Sequence, residues 1–243
     1  MRPVVFLHNP KAGGTSVTAH MKTLYPANDV APTLESSAAA RAPEAWVPHR
    51  SCRFVAGHFG HEVRETHFTN HALITNFRHP FLRIFSLYQF WRNIPEAQFT
   101  KLPAVSGPAY AKKLSFGQFV RSDDPFLRVY LENFHTRQIV KSGWLWWECG
   151  ADDLETAISR VRSMAWFYVC EMPVLSLAWL RNAFPEGSFP QTFPKLNETS
   201  GGIDALPAWD EAGVVISRNS LDMDLYHTAL RVMEEKSRSS AHG

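Results

Sequence analysis

The sequence predicts an α/β fold: a single domain in which a parallel sheet is flanked by helices. Short apolar segments alternate with longer segments of helical period along the chain, which is typical of parallel strands joined by helical crossovers. A chain of 243 residues is short enough to form a single domain with one hydrophobic core. We place the domain at residues 1–235 and expect a disordered tail at 236–243.

Four segments carry the strand pattern, because each is a short apolar run that ends at glycine, proline or a polar turn. They are residues 4–7, 53–56, 72–77 and 166–170. Helices are predicted where apolar residues recur every three to four positions. Thr15 is predicted to cap the first helix, and the others are expected at 81–92, 116–121, 125–139, 152–164, 173–184, 209–216 and 221–235. Residues 26–50 are predicted to be a surface excursion with room for a short helix. Residues 93–114 and 185–206 are predicted to be loops, and the loop at 93–114 is long enough to suspect a lid.

Charge and cysteine content exclude several classes of protein. The net charge is only +2, which is not that of a strongly basic nucleic-acid binder, but residues 1–121 carry +8 and residues 122–243 carry −6. Three widely separated cysteines form neither a zinc spacing nor a disulfide framework. No apolar run is long enough for a membrane span. We therefore expect a cytoplasmic protein; the sequence does not indicate its oligomeric state.

The first candidate site is the loop after the first strand, Pro10-Lys11-Ala12-Gly13-Gly14-Thr15-Ser16. Glycines let backbone N–H groups converge on an anion, and the helix dipole and Lys11 add positive charge. In the Walker pattern the lysine follows the last glycine. Here Lys11 precedes both glycines, which disfavours a nucleoside triphosphatase with the usual Mg²⁺ site. The alternative is a glycine turn with a surface lysine.

The second candidate site follows the third strand, in Arg78-His79-Pro80 and the helix that carries Ser86. Ligands of open α/β sheets gather at the carboxyl ends of strands, and arginine can grip a phosphate with two parallel hydrogen bonds. Arg78 and Ser86 are therefore predicted to bind a second anion beside the first. The alternative is an arginine paired with a carboxylate.

Together the two segments resemble the sulfotransferase superfamily, with strand–PKxGGTS–helix followed by strand–RxPxxRxxS–helix. Within it the chain looks most like sulfotransferase family 2, which includes the heparan sulfate 2-O-sulfotransferases and bacterial relatives. Further segments of that group are matched in order by Phe54-Val55-Ala56-Gly57-His58-Phe59, Asn133-Phe134-His135-Thr136-Arg137-Gln138, Leu196-Asn197-Glu198-Thr199-Ser200 and Asn219-Ser220-Leu221-Asp222-Met223-Asp224-Leu225-Tyr226. The resemblance covers nearly the whole chain.

The resemblance implies a P-loop-like sulfotransferase fold and a reaction. A sulfuryl group passes from 3′-phosphoadenosine 5′-phosphosulfate (PAPS) to a hydroxyl of a carbohydrate or small metabolite. The product is 3′,5′-adenosine bisphosphate (PAP), and no metal takes part. Lys11 and His58 are the implied catalytic residues, His58 as general base. The implied donor-binding residues are Lys11, Ala12, Gly13, Gly14, Thr15 and Ser16 for the phosphosulfate, Arg78 and Ser86 for the 3′-phosphate, and Asn197, Thr199 and Ser200 near the nucleotide.

The sequence departs from the family at one position and leaves other functions open. The 2-O-sulfotransferases have a second histidine two positions before the base, where this chain has Ala56. A Mg²⁺-dependent P-loop kinase and a non-catalytic nucleotide-binding regulator remain alternatives. His61, Glu62 and Glu171 are competing candidates for the base. A zinc site at His58, His61, His67 and His71 is disfavoured, because their spacing does not put them on one face of one element.

Overall fold

The computed structural model describes residues 1–32, 43–193 and 207–239. Its centre is a sheet of four parallel strands in the order β2-β1-β3-β4. The strands are β1 (Val4–Leu7), β2 (Phe54–Gly57), β3 (Ala72–Phe77) and β4 (Trp166–Val169). Nearly every strand residue is buried, as expected for a parallel sheet covered by helices. The predicted α/β architecture with a helix-flanked parallel sheet is confirmed.

The strand order creates a crevice between β1 and β3. The chain that leaves β1 next enters β2 on one side, and the chain that leaves β3 next enters β4 on the other side. The two connections therefore diverge from the gap between the carboxyl ends of these neighbouring strands. Such switch points are where open α/β sheets bind ligands. Both anion-binding loops predicted from the sequence begin at this point.

Twelve helices surround the sheet in the described ranges. They are α1 (Gly14–Lys22), α2 (His61–His67), α3 (Pro80–Arg92), α4 (Glu96–Phe99), α5 (Gly107–Lys113), α6 (Phe116–Val120), α7 (Pro125–Leu131), α8 (Phe134–Val140), α9 (Ala151–Ser163), α10 (Pro173–Ala183), α11 (Trp209–Arg218) and α12 (Ser220–Ser239). Short 3₁₀ helices span Ala27–Asp29 and Pro43–His49. None of the helices in the described ranges combines the length and apolar character that crossing a membrane requires.

The prediction of an extended loop at residues 93–114 was wrong, because the segment contains α4 and α5. Ala111 on α5 is fully buried in a hydrophobic cluster with Trp91 and Phe119, separate from the core around the sheet. Gly107 begins α5 directly against the Trp91 indole, where an added Cβ would lie 2.4 Å from the ring. These contacts with α3 and α6 come from tertiary packing, which the local composition does not reveal.

The single helix predicted at residues 125–139 is two helices, α7 and α8. The chain breaks at Asn133, whose φ of 41° is left-handed, a conformation that asparagine tolerates better than most residues. The Asn133 backbone N–H donates to Asn219 Oδ1 at 3.0 Å, and Asn133 Oδ1 accepts from the Asp222 backbone N–H at 3.2 Å. Contacts with Asn219, which joins α11 to α12, and with the first turn of α12 therefore fix the break.

Three smaller differences concern helix α2, residues 26–50 and the end of helix α12. Helix α2 was not predicted, and its histidines were considered only as candidate ligands or bases. Within the predicted surface excursion 26–50, Trp46 is fully buried and packs edge-on against Phe59; residues 33–42 lie outside the described residues. Helix α12 continues to Ser239, beyond the helix end predicted at residue 235. Residues 240–243 lie outside the described residues.

Candidate functional site

The loop after β1 is tied to β3 by one buried amide. Asn76 is fully buried. Its Oδ1 accepts from the Asn9 backbone N–H at 2.7 Å, and its Nδ2 donates to the carbonyl oxygens of Asn9 at 2.9 Å and Ala12 at 2.8 Å. Three hydrogen bonds from one side chain therefore fix the loop. The sequence analysis missed Asn76, although a polar amide within an apolar strand was a signal, since asparagine is depleted in strands.

Helix α1 begins with the two glycines of the loop. Gly13, with a φ of 78°, occupies the cap position that was predicted for Thr15, and it offers no side-chain acceptor. Gly14 lies against the buried His8 ring, so an added Cβ would come within 2.1 Å of it. The first N–H groups of a helix have no partner inside the helix. Gly14, Thr15 and Ser16 therefore form a helix N-terminus that can hold an anion.

Lys11 brings a positive charge to this loop without a carboxylate beside it. The residue has a left-handed φ of 65°, and its Nζ lies 4.0 Å from the centroid of the Phe90 ring. Within the described ranges, no carboxylate lies within ion-pair distance of that Nζ. Burial, and to a lesser extent the charge of Arg78, lower the pKa of Lys11 from 10.5 to about 8. Such an ammonium favours a nearby anion, which would restore its ordinary pKa.

Arg78 directly joins the two predicted anion sites. It follows β3, and its Nη1 donates to the Lys11 carbonyl oxygen at 3.1 Å. Ser86 is buried two turns into α3; within the described part of the chain its hydroxyl forms no hydrogen bond. The structure thus brings Arg78 to the Lys11 loop and places Ser86 on the helix that leaves the same crevice.

Glu171 supports the turn after Arg78. Its Oε1 accepts from the His79 backbone N–H at 3.1 Å, and its Oε2 accepts from the Tyr226 hydroxyl at 3.1 Å. One carboxylate oxygen therefore holds the Arg78-His79-Pro80 turn, and the other is bonded to Tyr226 on α12. This makes Glu171 a structural residue and a poor candidate for the general base.

His58 follows β2, which pairs with β1 so that Gly57 lies beside Leu7. Its Nδ1 lies 2.7 Å from the His8 carbonyl oxygen. A carbonyl oxygen can only accept, so Nδ1 carries the proton and the neutral ring has its lone pair on Nε2. The rings of His58 and His8 lie 4.3 Å apart. His58 is thus fixed beside the loop that carries Lys11.

A tryptophan-rich loop, Trp144-Leu145-Trp146-Trp147, lies against His58. The Trp144 ring lies 6.3 Å from the His58 ring, nearly perpendicular to it. Arg137, which is buried, donates from Nη1 to the carbonyl oxygens of Gly143 at 2.7 Å and Leu145 at 2.6 Å. Arg137 is therefore structural: it holds the loop that brings Trp144 to His58.

The other residues of the histidine-rich segment have separate partners. His61 Nδ1 lies 3.1 Å from Glu65 Oε1, His67 Nδ1 accepts from Arg50 at 3.1 Å, and His71 Nε2 lies 2.9 Å from the Cys52 carbonyl oxygen. Burial lowers the pKa of His61 to about 4 and raises that of Glu62. The described residues contain no group of three or more histidine, cysteine or acidic side chains that could hold a metal ion.

Asn197, Thr199 and Ser200, which were predicted to lie near the nucleotide, are outside the described residues. No protein-family model matches the chain, and a search of curated proteins finds no significant match.

Proposed function

We propose that this protein is a sulfotransferase with a P-loop-like sulfotransferase fold. It would move a sulfuryl group from PAPS to a hydroxyl acceptor, a carbohydrate or small metabolite. The observation that carries the proposal is the hydrogen bond of 3.1 Å between Arg78 and the Lys11 carbonyl. It joins two cationic loops at the β1–β3 switch point, where a donor with two separate anionic groups can be held.

The shape and charge of the Lys11 loop fit a phosphosulfate. The first turn of α1 contains no acidic side chain, and Gly13 immediately before it is exposed. The dipole of α1 and the ammonium of Lys11 both favour negative charge here. Arg78 and Ser86 offer a guanidinium and a hydroxyl to a second anion, which corresponds to the 3′-phosphate.

His58 and Lys11 support a balanced transfer step. His58 Nε2 takes the proton of the acceptor hydroxyl, and the acceptor oxygen forms a bond to sulfur. The bond between sulfur and the bridging oxygen breaks, and its electron pair remains on the 5′-phosphate of PAP. Lys11 neutralises that developing charge, an electrostatic contribution that is typically worth about 3–4 kcal/mol in enzymes.

The test is transfer of labelled sulfate from PAPS to a panel of phenols, sugars and glycans, with and without EDTA. We expect transfer to at least one acceptor and no inhibition by EDTA, since sulfuryl transfer needs no metal for catalysis. Lys11→Ala should slow transfer by about 10²- to 10³-fold, whereas Lys113→Ala, which changes an exposed lysine on α5, should not. EDTA-sensitive transfer of phosphate from ATP would instead indicate a Mg²⁺-dependent P-loop kinase. PAP binding without transfer to any acceptor would indicate a non-catalytic nucleotide-binding regulator.

A further inference from the structure

Gln138 is a buried amide that contacts the backbone on both sides of His58. It lies on α8 and is fully buried. Its Nε2 donates to the His8 carbonyl oxygen at 3.2 Å and to the Phe59 carbonyl oxygen at 2.9 Å. The first of these oxygens also accepts from His58 Nδ1, and the second belongs to the residue that follows His58. Gln138 thus binds the Phe59 carbonyl, in the backbone next to His58, and the His8 carbonyl, which accepts the hydrogen bond from the His58 ring.

The orientation of the Gln138 amide is fixed by its partners. Both are carbonyl oxygens, so only the NH₂ end can face them. The Oε1 atom is consequently buried and has no hydrogen-bond partner within the described ranges. The two donor contacts of Nε2 therefore hold the amide in one orientation.

Helix α8 is itself anchored, which makes Gln138 a rigid support. Asp222 on α12 is buried. Its Oδ2 accepts from the His135 N–H at 3.1 Å, and its Oδ1 accepts from the Thr136 N–H at 2.8 Å and the Thr136 hydroxyl at 2.7 Å. These bonds hold the first turn of α8, one turn before Gln138. A continuous hydrogen-bonded path therefore runs from α12 to His58.

We propose that Gln138 is a positioning residue for His58. It holds the His8 carbonyl where His58 Nδ1–H must donate to it, and so keeps the ring in the tautomer with its lone pair on Nε2. A neutral imidazole can carry its proton on either nitrogen, and only this tautomer can take a proton at Nε2. The catalytic consequence rests on the proposed function, whereas the tautomer does not.

The test combines nitrogen NMR of the histidine rings with kinetics in three variants. Gln138→Leu keeps a similar shape and removes both donors, and Gln138→Glu keeps the shape but places oxygen against the carbonyls. Ser176→Ala is the matched control, because it removes buried hydrogen bonds to Val169 and Met172 that involve neither α8 nor His58. The His58 signals are assigned by their loss in His58→Ala.

In the wild type we expect one tautomer at His58, with Nδ1 protonated. Gln138→Leu and Gln138→Glu should give a mixture of tautomers, whereas Ser176→Ala should leave the tautomer unchanged. The kcat should fall about 10- to 100-fold in both Gln138 variants, with the KM for PAPS and the affinity for PAP within about twofold of wild type. A single unchanged tautomer in either folded Gln138 variant overturns the proposal. A shifted tautomer in a protein that transfers no sulfate supports the positioning and contradicts only the proposed function.

Discussion

Arg78 and Lys11, 67 residues apart in the chain, are joined by a hydrogen bond from the guanidinium of one to the backbone carbonyl of the other. The bond leaves the Lys11 ammonium and the remaining guanidinium N–H groups for other partners. The loops after β1 and β3 therefore form one cationic unit rather than two separate features. The first prediction depends on that unit.

PAP should bind about 10- to 100-fold more tightly than 5′-AMP. The reason is the separate Arg78 and Ser86 site, since a hydrogen bond to a charged group contributes about 1.5–3 kcal/mol. Arg78→Ala should remove the difference, and Arg78→Lys should restore only part of it, because lysine cannot form the paired hydrogen bonds. Calorimetry measures both affinities. Equal affinities in the wild type would contradict the two-anion site.

The second prediction concerns the close approach of Gly14 to His8. Gly14→Ala would place a Cβ 2.1 Å from the His8 ring, and that ring is buried under Phe6 and His58. We expect a loss of about 1–3 kcal/mol of unfolding free energy and at least tenfold weaker PAP binding. The matched control is Gly213→Ala on α11, which has no atom near the added Cβ. It should stabilise the protein by about 0.4–1 kcal/mol and leave PAP binding unchanged.

The sequence predicted those parts of the structure that depend on local pattern. The strands were found because buried parallel strands are continuous apolar runs, and the Lys11 loop was found because glycine, proline and lysine are distinctive there. Asn76 and Gln138 were missed because their partners lie 67 and 130 residues away along the chain. The helical character of residues 107–113 was missed for the same reason, since it depends on contact with α3.

Lys11 should take up protons when PAP binds above about pH 8. Its pKa is lowered to about 8 in the free protein, and the charge of bound PAP should raise it. Calorimetry at pH 8.5 in buffers of different ionisation enthalpy measures this uptake. Wild type should take up a fraction of a proton more than Lys11→Met does. The same uptake in both proteins would show that Lys11 does not face the nucleotide.

Lys11→Met should be more stable than wild type at pH 7. Because the pKa of Lys11 is lower in the folded protein than in the unfolded chain, the charged form opposes folding below about pH 8. That effect diminishes as the pH rises from about 8 to 10.5, where the unfolded chain binds more protons than the folded protein does. Thermal unfolding should therefore show a higher Tm for the variant at pH 7, with the difference decreasing above pH 8. A Tm difference that is independent of pH would mean that lost contacts, not charge, cause it.

His58→Ala should lose about 10²- to 10⁴-fold in rate and still bind PAP, because a general base acts on the acceptor proton and not on the donor nucleotide. The acidic limb of the kcat/KM profile should disappear with the imidazole. His71→Ala is the matched control, because His71 also bonds a backbone carbonyl, that of Cys52, but lies outside the candidate site; its rate and its acidic limb should persist. A folded His58→Ala variant that keeps most of its rate would indicate that Glu62, whose pKa is raised by burial, is the general base instead. Loss of the fold in His58→Ala, with PAP binding lost as well, would instead identify the bond from His58 to the His8 carbonyl as structural.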